Sequence, residues 1–88
     1  MKYKIVLHPN ALEHLIEWAK TDTKMLKKIF SLIEQMQTDP FNGLGKPEPL
    51  KHQFQGLWSR RITDYHRLIY QVEQDELIIL SCYSHYEE

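Results

Sequence analysis

The sequence predicts one α+β domain over residues 1–88: an N-terminal strand, a two-helix hairpin, then an antiparallel sheet with the helices on one face. Three observations predict it. Apolar residues recur at helical spacing between residues 12 and 36, they alternate between residues 57 and 84, and a stretch holding Gly43, Gly45, Pro47 and Pro49 divides the two regions.

Lys4-Ile5-Val6-Leu7 reads as a short strand closed by His8-Pro9-Asn10, where Pro9 suits the first turn of a helix. Leu12, Leu15, Ile16 and Ala19 then form one apolar stripe, giving a helix to about Lys20. Thr21 or Asp22 caps a second helix, whose stripe is Met25, Leu26, Ile29, Leu32, Ile33 and Met36 and which ends before Asp39-Pro40. The segment from Phe41 to Lys51 is a loop long enough to have a role beyond connection. Three strand-like runs follow, over 57–63, 66–73 and 76–84, with turns at Asp64-Tyr65 and Gln74-Asp75.

Composition narrows the class. At 88 residues the chain supports one modest core, without room for a second lobe or a large buried cofactor. No apolar run approaches the roughly 20 residues of a membrane span, so a soluble cytoplasmic protein is expected. Cys82 is the single cysteine, which excludes an internal disulfide and a cysteine-based zinc cage and suits a buried small hydrophobe. The net charge of −1 argues against a simple nucleic-acid binder. Its distribution is uneven, however: residues 42–70 carry 5 basic and 2 acidic side chains, and residues 71–88 carry 0 and 5.

Trp58, Ile62, Leu68, Tyr70, Val72, Ile78, Leu80 and Cys82 all have even numbers, and alternation assigns them to the face beneath the helices. Ser59, Arg61, Thr63, Arg67, Ile69, Gln71, Leu77, Ile79, Ser81, Tyr83 and His85 then fall on the uncovered face. Arg61, Arg67 and His85 converge there as an anion site. Guanidinium groups match phosphate geometry, lysine is a point-charge partner, and Tyr83 and Tyr86 are candidate platforms for bases. A carboxylate and a histidine together supply a general base and a general acid near neutral pH without a metal.

In the run Gly-Lys-Pro-Glu-Pro-Leu-Lys, Pro47 and Pro49 present Glu48 from a stiff, extended segment. The residues suffice for RNA cleavage by the substrate's own 2′-hydroxyl. Glu48 is then the base, His85 the acid, and Arg61, Arg67 and Lys51 the groups that stabilise charge on the phosphorus oxygens. Each has a plainer alternative: Glu48 in a weak surface ion pair with Lys46 or Lys51, Arg60-Arg61 as a solvated strand pair, and His85 as a solvated surface histidine. His85 has no ligand partner at familiar metal spacing, so no metal or other cofactor is expected.

The run DPFNGLGKPEPLKHQFQGLWSRRITDYHRLIYQV and the ending CYSHY closely resemble the Txe/YoeB family of toxins in the RelE superfamily. The resemblance spans nearly the whole chain and implies a RelE-like fold. It implies a toxin of a type II toxin–antitoxin system that enters the ribosomal A site, cuts the mRNA held there and is neutralised by a cognate antitoxin. Members of the family can dimerise. By resemblance the general base falls on Glu48 and the general acid on His85, with transition-state contacts on Arg67 and Arg61. Lys46 and Lys51 fall where the family holds RNA phosphate, and Tyr86 matches a position that orders the reacting nucleotide; Arg60 and Tyr83 are RNA-binding candidates by residue type, apart from the resemblance. The chain departs from the family at Tyr83, where a basic residue is common, at Ser84, where close relatives have an aromatic, and in the Glu87-Glu88 tail. The alternative implied by the same resemblance is a catalytically impaired module that binds RNA, ribosome or antitoxin.

Overall fold

A computed structural model describes residues 2–84. The elements run β1 (Lys4–Leu7), α1 (Pro9–Thr21), α2 (Thr23–Met36), β2 (Glu48–Pro49), β3 (Trp58–Arg61), β4 (Arg67–Glu73) and β5 (Glu76–Ser81), with a 3-10 turn at His52–Phe54. This is the expected α+β order. The helix boundaries have local causes. The Nδ1 of His8 accepts from the amide of Asn10 at the start of α1, where Pro9 needs no partner for a missing N–H. Asp22 breaks the hairpin in extended geometry, and its carboxylate accepts from the amide of Met25 to cap α2.

The five strands form one sheet in the order β1-β5-β4-β3-β2. β2 through β5 pair antiparallel, while β1 joins the exposed side of β5 in parallel, which makes the sheet mixed. Both helices lie on one face. Ala11, Leu15 and Trp18 of α1 and Ile29, Leu32, Ile33 and Met36 of α2 meet Ile62, Leu68, Tyr70, Leu77, Ile79 and Cys82 in the core. Burying each large side chain contributes about 1.5–3 kcal/mol, so this stripe-on-sheet contact dominates stability. Burial also pushes the Cys82 thiol up to about 12, as befits a cysteine that packs as a hydrophobe.

The structure corrects the expected alternation in the last strand. Leu77 and Ile79 are fully buried beneath the helices, and Ile78 and Leu80 are only partly buried. A β-bulge explains the change: Ile69 pairs with Ser81 and Tyr70 with Ile79, leaving Leu80 as the extra residue on β5. The bulge restores the even-numbered parity beyond it, so Cys82 is in the core as expected. Leu77-Ile78-Ile79-Leu80 is a continuous apolar run, so alternation in the sequence carries no information about which half faces inward. The outward half has an apolar neighbourhood of its own. Leu80 lines a cleft of about 320 Å³ with Leu50, Phe54, Leu57 and Ile69, where the 3-10 segment folds over the sheet.

Among the described residues no helix is long and apolar enough to cross a membrane.

Candidate active site

The sheet register places the expected chemistry. Glu48 pairs with Ser59, Ser59 with Ile69, and Arg61 with Arg67. Directly opposed residues share a face, and so do residues two apart along a strand. Glu48, Arg61 and Arg67 therefore lie on the helix-free face, spread over β2, β3 and β4. Glu48 and Arg61 are exposed and Arg67 is partly buried.

Glu48 sits in a two-residue edge strand that the sequence suggested only as loop. Pro49 tolerates that position because an edge strand has one side without ladder partners. The approach to it is tightly constrained. The amide of Arg61 donates to the carbonyl of Gly45 at 2.7 Å, and a Cβ on Gly45 would meet the Arg61 carbonyl at 2.9 Å. With Gly45 at φ +78° and Lys46 at φ +51°, the chain reverses immediately before Pro47. Replacing Pro47 and Pro49 together by alanine is expected to loosen Glu48 without unfolding the domain. Each loss of a proline restraint is worth about 0.4–1 kcal/mol, and cleavage of RNA should fall several-fold while far-UV circular dichroism stays unchanged. An unaltered rate would remove the geometric role of the prolines.

Lys46 and Arg61 also line a cavity of about 430 Å³ between α2 and the β3–β4 turn, together with Lys28 and Ser31 of α2. Nothing in the sequence singles out Lys28. Its only signal was a lysine on the polar side of α2, shared with Lys24 and Lys27, and the third cation becomes apparent only when the loop folds back. Lys51, exposed, lies two residues beyond β2 and holds the cap position at the start of the 3-10 turn. Arg67 is oriented by its own turn: Nη1 donates to the carbonyls of Thr63 at 2.7 Å, Asp64 at 3.1 Å and His66 at 3.2 Å.

Arg60 is corrected by the structure. It is 0% exposed and lies on the helix side, where its guanidinium is taken up entirely within the protein. Nε donates to the Tyr70 hydroxyl, Nη1 to Leu44 O and to Gln35 Oε1, and Nη2 to Asp39 O and Asn42 O. Tyr70 in turn donates to Pro40 O at 2.7 Å. Burial raises the Tyr70 phenol above its ordinary value, and the Arg60 hydrogen bond partly opposes that rise. Arg60 is thus the internal anchor of the 39–45 loop that leads to Lys46 and Glu48, and a buried, fully bonded guanidinium is not available to phosphate.

Tyr83 is also displaced from the uncovered face. Its half-exposed ring packs against Trp18 at 5.1 Å, His66 at 4.9 Å and His14 at 5.8 Å, because the chain leaves the sheet after Ser81 and turns towards α1. His85 and Tyr86 lie outside the described residues. The chain approaches them beside the site, since the amide of Arg67 donates to the carbonyl of Ser84 at 2.8 Å. Among the described residues no group of three or more histidine, cysteine or acidic side chains is placed to hold a metal ion.

The arrangement is a helix hairpin on one face of a mixed five-stranded sheet, with a carboxylate and two arginines across the other. The profile of the YoeB-like toxins of bacterial type II toxin–antitoxin systems matches residues 7–86. Toxin YoeB of Escherichia coli K12 is 46% identical over 83 residues, which is 94% of this chain and 99% of the relative. The YoeB/ParE toxin from Agrobacterium tumefaciens superposes with a TM-score of 0.92 at 42% identity, covering 94% of this chain and 99% of that one. The Staphylococcus aureus toxin superposes as the YoeB dimer, with a TM-score of 0.88 at 38% identity, and in the YoeB–YefM complex, with 0.86 at 37%. In both cases 98% of this chain and 100% of the other are covered. The chain belongs to the YoeB-like toxins of type II toxin–antitoxin systems.

Proposed function

We propose that this toxin is a metal-independent endoribonuclease that cuts mRNA in the ribosomal A site and so stops translation. The observation that carries the reading is the placement of Glu48, Arg61 and Arg67 on one open face, with the chain leading to His85 hydrogen-bonded to Arg67. In the reaction the Glu48 carboxylate takes the proton of the 2′-hydroxyl as that oxygen attacks phosphorus. The P–O5′ bond breaks, and the His85 imidazolium gives its proton to the departing 5′-oxygen. Arg61 and Arg67 stabilise the charge that grows on the non-bridging oxygens. Lys46 and Lys51 hold neighbouring phosphates, and Tyr86 orders the reacting nucleotide. The products are a 2′,3′-cyclic phosphate and a 5′-hydroxyl, with no net oxidation and no metal required for either proton transfer.

A cognate antitoxin is the expected cytoplasmic partner, as YefM is the partner of the S. aureus relative, and a homodimer is the expected self-assembly by the same comparison. Primer extension on a defined mRNA in a reconstituted translation system, with wild type and His85→Ala, tests the function. Cuts within the A-site codon that require both ribosomes and His85 are expected. Intact mRNA with a folded, ribosome-bound wild-type chain would replace this reading with a catalytically impaired binding module of the same fold.

A further inference from the structure

The strongest cluster without an assigned role lies at the exit of β5. The bulged ladder ends at Ser81, and a backbone leaving a sheet must find other partners for its polar groups. The amide of Cys82 donates to Nδ1 of His14 at 3.1 Å, and the carbonyl of Cys82 accepts from Nε1 of Trp18 at 2.8 Å. Two residues on, the amide of Ser84 donates to Nδ1 of His66 at 2.7 Å. The Ser84 carbonyl accepts from the Arg67 amide, and its hydroxyl lies 3.4 Å from that of Tyr65. Ser84 has φ +69°, a left-handed conformation that a serine holds only when its surroundings impose it. The rings of Trp18, Tyr65 and Tyr83 pack around His66 with centroids 4.9–5.0 Å away. The residue immediately before His85 is therefore fixed from three directions.

We propose that His14 and His66 are positioning residues of this toxin, which fix the backbone of Cys82 and Ser84 and so the segment from which the chain continues to His85. The inference rests on His85 acting as the general acid. A ring nitrogen that accepts a hydrogen bond carries no proton, so both imidazoles are neutral with their proton on Nε2. Protonation would turn each acceptor into a donor facing an amide N–H and would open the clamp. Burial lowers the His14 pKa, with Glu13 opposing the shift. Among the described residues, Cys82, Tyr65 and Tyr83 also lie against the two rings, with Arg67 next to His66 in the chain. Because the folded value is depressed, the stabilising contribution of His14 is complete above the unfolded value of 6.5. It is lost as pH falls below that value towards the folded one, since the unfolded chain binds more protons in that window.

The test combines nitrogen-15 NMR of the full chain with single-turnover cleavage on programmed ribosomes. Wild type is expected to show unprotonated Nδ1 in both rings at neutral pH, and the Cys82 and Ser84 amide signals should move as the rings protonate. His66→Phe keeps a ring but removes the acceptor, and its rate at saturating ribosomes should fall by about 10- to 100-fold, the scale of a misplacement of about 1 Å. Half-saturation by ribosomes should not change. His66→Asn places an amide oxygen near the Nδ1 position and should recover most of the rate, and His14→Leu with His14→Asn should repeat the pattern. A protonated Nδ1 in either wild-type ring at neutral pH overturns the proposal however the variants fold. A full rate in His66→Phe, with His85→Ala inactive, overturns the positioning role and leaves the reaction assignment standing. A full rate in His85→Ala overturns both.

Discussion

Glu48→Gln should cut A-site mRNA about 10²- to 10⁴-fold more slowly than wild type, the range contributed by a positioned general base. The substitution keeps the shape of the side chain and removes only its capacity to accept a proton. Glu48 is exposed, and its strand is held to β3 through backbone pairing with Ser59, so stability should change by no more than a surface substitution allows, about 0.5 kcal/mol or roughly 2–4 °C in melting temperature. Single-turnover cleavage and a thermal melt on the same preparation check both halves. A rate within three-fold of wild type would move the general base elsewhere, whereas a collapsed melt would show that Glu48 supports the loop instead of reacting.

Arg60→Met should produce the largest loss of stability. The methionine fills much of the volume but strands the carbonyls of Asp39, Asn42 and Leu44 together with Gln35 and the Tyr70 hydroxyl, all of which now receive guanidinium protons. Hydrogen bonds to a charged group are worth about 1.5–3 kcal/mol each, and the stranded acceptors lie where water has little access. A loss of at least about 3 kcal/mol is expected, or roughly 12 °C or more in Tm for a domain of this size. Arg61→Met, one residue on, is the matched control: Arg61 is exposed, so Tm should hold while cleavage falls. Equal melts for the two variants would refute the anchoring role of Arg60.

Much of the architecture was legible because it is local. Helical spacing, the Asp22 cap and the turn chemistry at Gln74-Asp75 each act over a few residues, and the structure realises them. The common face of Arg61 and Arg67 was also legible, since alternation along β3 and β4 places both, whereas the edge strand that sets Glu48 on that face was not. What escaped the sequence depends on distant partners. The parity of β5 is set by a bulge opposite Ile69 and by an apolar cleft on the outer face, neither visible within the run Leu77-Ile78-Ile79-Leu80. Arg60 looked like the twin of Arg61 because a charged residue in a strand usually seeks water. Only the folded loop brings carbonyls from Asp39, Asn42 and Leu44 to it. Tyr83 left the sheet because Trp18 and His66, remote in sequence, offer a better surface for its ring.

The position of β5 has a bearing on biosynthesis. It follows every other strand in the chain, yet it lies second in the sheet, with β1 on one side and β4 on the other. Residues 4–7 leave the ribosome well before residues 76–79, the segment with which they pair. Such a long closure makes assembly late and cooperative. The nascent chain therefore holds the arginine-bearing hairpin without the strand that fixes it to the rest of the domain. The toxin domain is in this way kept incomplete until the strand between β1 and β4 has been synthesised.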